Sequence, residues 1–187
     1  MKTLILVLFG AVGLNAQGFG EVRAADTKYR YADFAYTFNN RMMLEVFYFG
    51  IPGANDLNVG AGYLVKPSSR ISLTPALYAV KTKEGEAGLK LGLTFSASNK
   101  NWKLNSFVAK HWSVKNFSSY SFADPIELTK VIDRLEFGVS AGFTHLDHQW
   151  NPLIGPVVKF NDKVGNWSLS VRGGSARELR FGRTFNF

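Results

Sequence analysis

The chain has 187 residues, enough for one domain, and is 46% hydrophobic but only 19% charged, with a mean hydropathy near zero. That average excludes a helical membrane protein, which needs apolar runs of about 20 residues, and the 16 Phe, 7 Tyr and 4 Trp exclude a disordered chain. The net charge of +8 comes without a Lys/Arg block, so nucleic acid is not the expected partner, and the absence of Cys rules out disulfides and a lipid anchor on an N-terminal cysteine.

The first element is an address. Met1–Lys2–Thr3 is a short positive region, and Leu4 to Leu14 is an apolar run too short to span a bilayer as a helix. Residues 1–16 are expected to be a signal peptide cleaved after Ala16, with Ala24 as an alternative site. Residues 17–187 are expected to form a single domain.

From residue 28 onward the dominant pattern is period-two alternation in segments of about ten residues, which sends successive side chains to opposite faces. In 57–66, Leu57, Val59, Ala61, Tyr63 and Val65 share one face, while Asn58, Gly60, Gly62 and Lys66 share the other. The pattern returns over 87–98, 135–144 and 167–172. Turn signals such as Asn39–Asn40, Ser98–Asn99–Lys100–Asn101, Asn161–Asp162 and Gly173–Gly174 separate the segments. Strands are therefore predicted over 28–38, 42–50, 57–66, 71–82, 87–98, 102–114, 134–145, 152–160, 166–173 and 177–187. This is an all-β, antiparallel, up-and-down meander of about ten strands. Segment 116–133 breaks the pattern. Asp124 can cap a helix, Pro125 suits its first position and Glu127 suits a capping box, so a short helix is predicted near 125–132. With ten strands this segment falls on the same side as the termini, where connections are normally short. Counts of eight to twelve strands stay open.

Alternation alone does not say which face meets water. Three features favour a membrane barrel with its apolar face outward. The polar face mixes Gly, Ser and Thr with charges of both signs: Glu45, Lys90, Lys103, Glu136, Lys159, Arg172, Glu178 and Arg180. Aromatics such as Tyr36, Tyr48, Tyr63, Trp102, Trp112, Phe143, Phe160 and Trp167 gather near strand ends on the apolar face, as in interfacial girdles. The chain ends Leu179–Arg180–Phe181–Gly182–Arg183–Thr184–Phe185–Asn186–Phe187.

That terminal strand resembles the C-terminal assembly signal of bacterial outer-membrane β-barrels, with Phe181, Phe185 and Phe187 as its aromatic positions. It departs from the pattern at Arg183, on the lipid face. The resemblance implies a closed transmembrane barrel in the outer membrane, handled by the barrel-assembly machinery and surrounded by outer-membrane lipid and lipopolysaccharide. A monomer is expected. Closure is required physically, because backbone groups in hydrocarbon must all be paired.

Candidate chemistry is sparse. His111 and Ser113 share a strand face, so the imidazole could take the hydroxyl proton. The pair is similar to the His-x-Ser of lipid A deacylase barrels, which implies Ser113 as nucleophile, His111 as base and Glu127 as orienter. Val114 departs from that family, which has Asn there. His145, Asp147 and His148 read as a polar loop rather than a metal site. Gly173–Gly174 lies in no nucleotide-binding context, and no cofactor is expected. Three functions compete: a structural or interaction barrel with a side-chain-filled lumen, a narrow channel or binding site for small anionic or amphipathic ligands, and a lipid A-modifying hydrolase. The first is the leading expectation, and the basic lumen residues are expected to pair with Glu45, Glu136 and Glu178.

Overall fold

A computed structural model of the chain describes residues 17–187 apart from 52–53, 83–84, 116–117 and 147. The expected leader, residues 1–16, lies outside the described residues. The strands are β1 (Gln17–Ala25), β2 (Arg30–Thr37), β3 (Met42–Ile51), β4 (Ala54–Tyr63), β5 (Val65–Ser68), β6 (Ile71–Thr82), β7 (Ala87–Ser98), β8 (Trp102–Ser113), β9 (Ser119–Ile132), β10 (Leu135–Leu146), β11 (Gln149–Asn161), β12 (Gly165–Gly174) and β13 (Glu178–Asn186). Each pairs antiparallel with its neighbours.

The ring closes twice over. β1 pairs with β13 from Phe19↔Asn186 to Ala25↔Arg180, and β4 pairs with β6 from Asp56↔Thr82 to Gly62↔Ala76. Twelve strands thus form the barrel, and the four-residue β5 sits on its rim against the start of β6. Closure leaves no open edge, as hydrocarbon demands. β1 also bears on the leader: cleavage after Ala24 would remove nearly all of the strand that seals the seam.

Two elements differ from the sequence expectation. Segment 17–25 is a strand, although Gly18 and Gly20 break up its apolar face. The helix predicted near 125–132 is instead the second half of β9. A β-bulge explains the misreading. On β10, Ala141 faces Ile126 and Phe143 faces Ala123, so Gly142 opposes both Asp124 and Pro125. β8 skips the same step between Ser106 and Val108. The extra residue flips the alternation in mid-strand. Tyr120, Phe122 and Asp124 face inward before the bulge; Glu127, Thr129 and Val131 do so after it. These two strands raise the count from ten to twelve. They also remove the long connection on the side of the termini.

The apolar face points outward. Leu77 is 57% exposed, Leu91 53%, Val59 52% and Leu169 49%, whereas their polar strand neighbours are buried or half-buried. In water such a band would be a severe aggregation hazard; in a bilayer it is the required surface. Two aromatic girdles bound it. Tyr36, Phe38, Tyr63, Trp102, Phe160, Trp167 and Phe185 ring the end that holds the termini, and Tyr48, Trp112, Phe143 and Trp150 ring the other. The chain is therefore a transmembrane β-barrel. Arg183 faces outward at the first girdle. Its guanidinium lies 4.6 Å from the Trp167 ring centre and 4.9 Å from that of Phe185, and it pairs with Asp162 at 2.8 Å. A cation at the interface, shielded by rings and a carboxylate, is tolerated where one at mid-bilayer would not be.

The seam carries the last residue. Gly18 donates to the Phe187 carbonyl at 2.7 Å, and Phe187 donates back to Gly18 at 3.1 Å. The Phe187 ring stacks on Phe34, 5.6 Å between centres, and occupies the space a Gly18 side chain would need.

Candidate functional site: the lumen

Twelve strands enclose more space than eight, whose interior side chains just fill. The inward face divides that space into a dry half and a wet half. The dry half is aromatic. Phe47, fully buried, packs edge-on against Tyr78 at 5.1 Å and Phe107 at 5.8 Å, and Phe122 links Phe107 to Phe49. Lys90 is buried among these rings, its ammonium 5.2 Å from the centres of both Phe47 and Phe122. It pairs with Asp56 at 3.3 Å, and the Tyr120 hydroxyl donates to the same carboxylate. A buried lysine is stable only with such a partner.

The other half is lined by charge, from β9 round to β1. Arg172 of β12 is fully buried and binds Asp124 at 2.8 Å and Glu178 at 2.7 Å. Arg180 of β13 binds Asp124 through its other oxygen at 2.7 Å, and the Tyr29 ring caps its guanidinium at 4.0 Å. The Asp124 carboxylate therefore ties β9 to β12 and β13 across the lumen, passing over β10 and β11. The bulge places it there. Nearer the termini, Lys159 pairs with Glu127. Glu136 takes Lys103, the Thr129 hydroxyl and the Asn161 amide, and Arg23 pairs with Glu21.

Above the Asp124 crossbar a cavity of about 280 Å³ opens at the end opposite the termini. Thr27, Tyr29, Phe49, Phe122, Thr144 and Asn151 line it, together with Asp124, Glu178 and Arg180 of the crossbar.

All eight charges singled out from the sequence, Glu45, Lys90, Lys103, Glu136, Lys159, Arg172, Glu178 and Arg180, face this interior. Glu136 pairs with Lys103, and Glu178 with Arg172 and Arg180, as expected; Glu45 instead accepts the Tyr78 hydroxyl and, among the described residues, forms no ion pair, and the other acids of the lumen were missed. Asp33 and Asp56 keep the inward phase of their strands and could have been found by extending it. Glu21 and Arg23 were hidden beside the leader, and Asp124 by the bulge.

The structure does not assemble the candidate hydrolase. His111 and Ser113 both face inward. His111 stacks on Tyr120 at 4.8 Å, and the Ser113 hydroxyl accepts the Lys115 amide at 3.3 Å. Glu127 is committed to Lys159 beyond the bulge, opposite Asn105, six residues before His111 on β8. The proposed orienter is thus remote from the base. His145 packs against Trp150 at 4.5 Å near a strand end, and among the described residues no His/Cys/Asp/Glu group could hold a metal.

No protein-family model matches the chain, and no curated protein matches it. Solved structures do. A KdgM porin in complex with disordered oligogalacturonate aligns with a TM-score of 0.64 at 12% identity, over 91% of this chain and 98% of its own. The NanC porin aligns at 0.58 and 10% identity, over 92% and 99%. An outer-membrane channel from Pseudomonas putida F1 aligns at 0.56 and 8% identity, over 95% and 97%. The chain has the fold of outer-membrane channels. At these identities the likeness concerns the fold, and the lumen has to be judged from its own residues.

Proposed function

We propose that the protein is a narrow channel for small hydrophilic solutes in the bacterial outer membrane. One observation carries this reading: part of the charge in the wet half keeps contact with solvent, although Arg172, Glu178 and Glu136 beside it are buried. Side-chain exposure is 14% at Asp124, 12% at Arg23, Glu127 and Lys159, and 41% at Lys103. Lys90 in the dry half has none. These partly exposed charges, from Asp124 at the cavity to Lys103 at the terminal end, favour a thin water path over a sealed core. The sequence alone favours a structural or interaction barrel, because small barrels fill with side chains. Twelve strands leave more room, and fold neighbours that are porins and channels favour conduction.

The Phe187 seam supports recognition by barrel-assembly machinery, and the exposed outward Lys110 beside Trp112 suits lipid phosphates. Export with loss of residues 1–16 and a monomeric barrel complete the reading. The test is conductance of the purified protein in planar bilayers. Discrete events well below those of wide general porins are expected. A silent bilayer, with the protein folded and inserted, would return the chain to a structural or interaction role.

A further inference from the structure

A cleft of about 370 Å³ is cut into the outer wall at the terminal end, where β6, β7, β8 and β9 lie side by side. We propose that it binds an anionic phospholipid, with an acyl chain along its apolar bed and the phosphate among Arg70, Lys100 and Lys130. The site faces lipid rather than the lumen, so it does not depend on conduction. Its origin is local. β7 turns Leu89, Leu91, Leu93 and Phe95 toward the membrane, and then Ala97. In register on either side of Ala97 stand Ile71 of β6 and Leu104 of β8. The bulky stripe therefore drops to a methyl group between two large neighbours. Trp102 and Leu128 line the side toward β9, and Arg70 lines the rim.

The charges around the cleft identify its occupant. Arg70 immediately precedes β6, and its carbonyl accepts the Ser98 amide at 2.8 Å. Lys100 lies in the turn that follows Ser98, and Lys130 of β9 stands directly opposite Trp102, on the same outward face. All three are exposed, and among the described residues none forms an ion pair with a carboxylate. The nearby Glu127 and Glu136 face inward and are taken by Lys159 and Lys103. Asp133, in the β9–β10 turn, sits beside Arg134 and leaves this stretch of rim strongly positive. Long basic side chains at a membrane interface lay their stems on apolar surface and lift their charge to the headgroup level. Clustered there, they favour anionic headgroups over zwitterionic ones. An apolar bed directly beneath the cations fits a phosphate joined to a hydrocarbon chain rather than a free anion. The terminal end of an outer-membrane barrel faces the periplasm, so the lipid belongs to the phospholipid leaflet.

The test is tryptophan quenching in phosphatidylcholine vesicles that carry a minor fraction of brominated phosphatidylglycerol or of brominated phosphatidylcholine. Two proteins are compared, one keeping only Trp102 and one keeping only Trp167, with the other three of the 4 Trp replaced by Phe. Trp167 belongs to the same girdle, but its Arg183 is engaged by Asp162 at 2.8 Å and Lys163 stands alone in the adjoining turn. Brominated phosphatidylglycerol should quench Trp102 severalfold more than brominated phosphatidylcholine does, with far less discrimination at Trp167. Arg70→Gln/Lys100→Gln/Lys130→Gln should bring the two lipids level at Trp102. Ala97→Phe fills the cleft but keeps the cations, and should sharply reduce the preference. All these side chains lie on the lipid face, and heat-modifiable migration confirms that each variant is folded before it is compared. Equal quenching of Trp102 by the two lipids would overturn the site. So would a preference that survives either variant, or one as strong at Trp167, which would describe the charge of the whole rim.

Discussion

Asp124→Asn isolates the crossbar from everything around it. The side chain keeps its size and one acceptor oxygen but loses its charge. In the native lumen Asp124 receives hydrogen bonds from Arg172 at 2.8 and 3.2 Å and from Arg180 at 2.9 and 2.7 Å. Arg172 has no solvent exposure and Arg180 has 7%, so water cannot replace the lost charge at either guanidinium. Breaking a buried ion pair by removing one partner costs about 3–5 kcal/mol. Glu178 still contacts both arginines, and Asp124 itself is 14% exposed. The lower end, about 3 kcal/mol, therefore applies. This equals roughly two orders of magnitude in the unfolding equilibrium. With a urea dependence of about 2 kcal/mol per molar, the unfolding midpoint in detergent should fall by about 1.5 M. Adding Arg180→Gln removes the surplus cation and should recover part of the loss, a coupling that a double-mutant cycle reads directly. A midpoint within about 0.3 M of wild type would mean that the crossbar carries no such load.

Other consequences are as specific. Lys90→Met leaves Asp56 buried without its ammonium and should cost about 3 kcal/mol in the same urea assay, most of it recovered in Lys90→Met/Asp56→Leu. Gly18→Val would drive a side chain into the Phe187 ring, so the heat-modifiable folded fraction should drop; Gly173→Ala, with open space around it, should leave that fraction unchanged. The Asp162 carboxyl, in the β11–β12 turn, is held below the ordinary carboxylate range by the Arg183 hydrogen bond and then by the Val164 amide. Its contribution to stability is present above the unfolded pKa of about 4 and disappears as pH falls through the lower folded value. Asp162→Asn should therefore flatten the acid limb of an unfolding-versus-pH profile and leave its shape near pH 7 unaltered.

Much of the barrel was legible because lipid and lumen impose strict alternation. Leu57 to Val65 and Ala87 to Ala97 announce their outward face without any knowledge of their neighbours. The two missed strands failed for local reasons. β1 offers only Gly, Val and Ala to the outside, too weak a stripe to read. β9 changes phase at Asp124–Pro125, and Asp-Pro-x-Glu mimics a helix start closely enough to win on propensity. Placing a charge in the lumen needed only strand phase, so Arg172 and Glu178 could be assigned from sequence. Its partner depends on which strands meet across the ring. Arg172 and Asp124 are 48 residues apart, and no local pattern joins them. The dry half was hidden for a similar reason: Phe47, Tyr78 and Phe107 look like any strand aromatics until the barrel brings them together.

Since the chain contains no cysteine, single-cysteine variants spin-labelled at Leu91 and at Thr94, reconstituted in liposomes, separate the two faces of β7 directly. Lipid-dissolved oxygen should relax the Leu91 label strongly and a water-soluble nickel chelate should barely touch it, with the order reversed or sharply reduced at Thr94. A Leu91 label open to nickel and closed to oxygen would place the leucine stripe in water and contradict the transmembrane barrel.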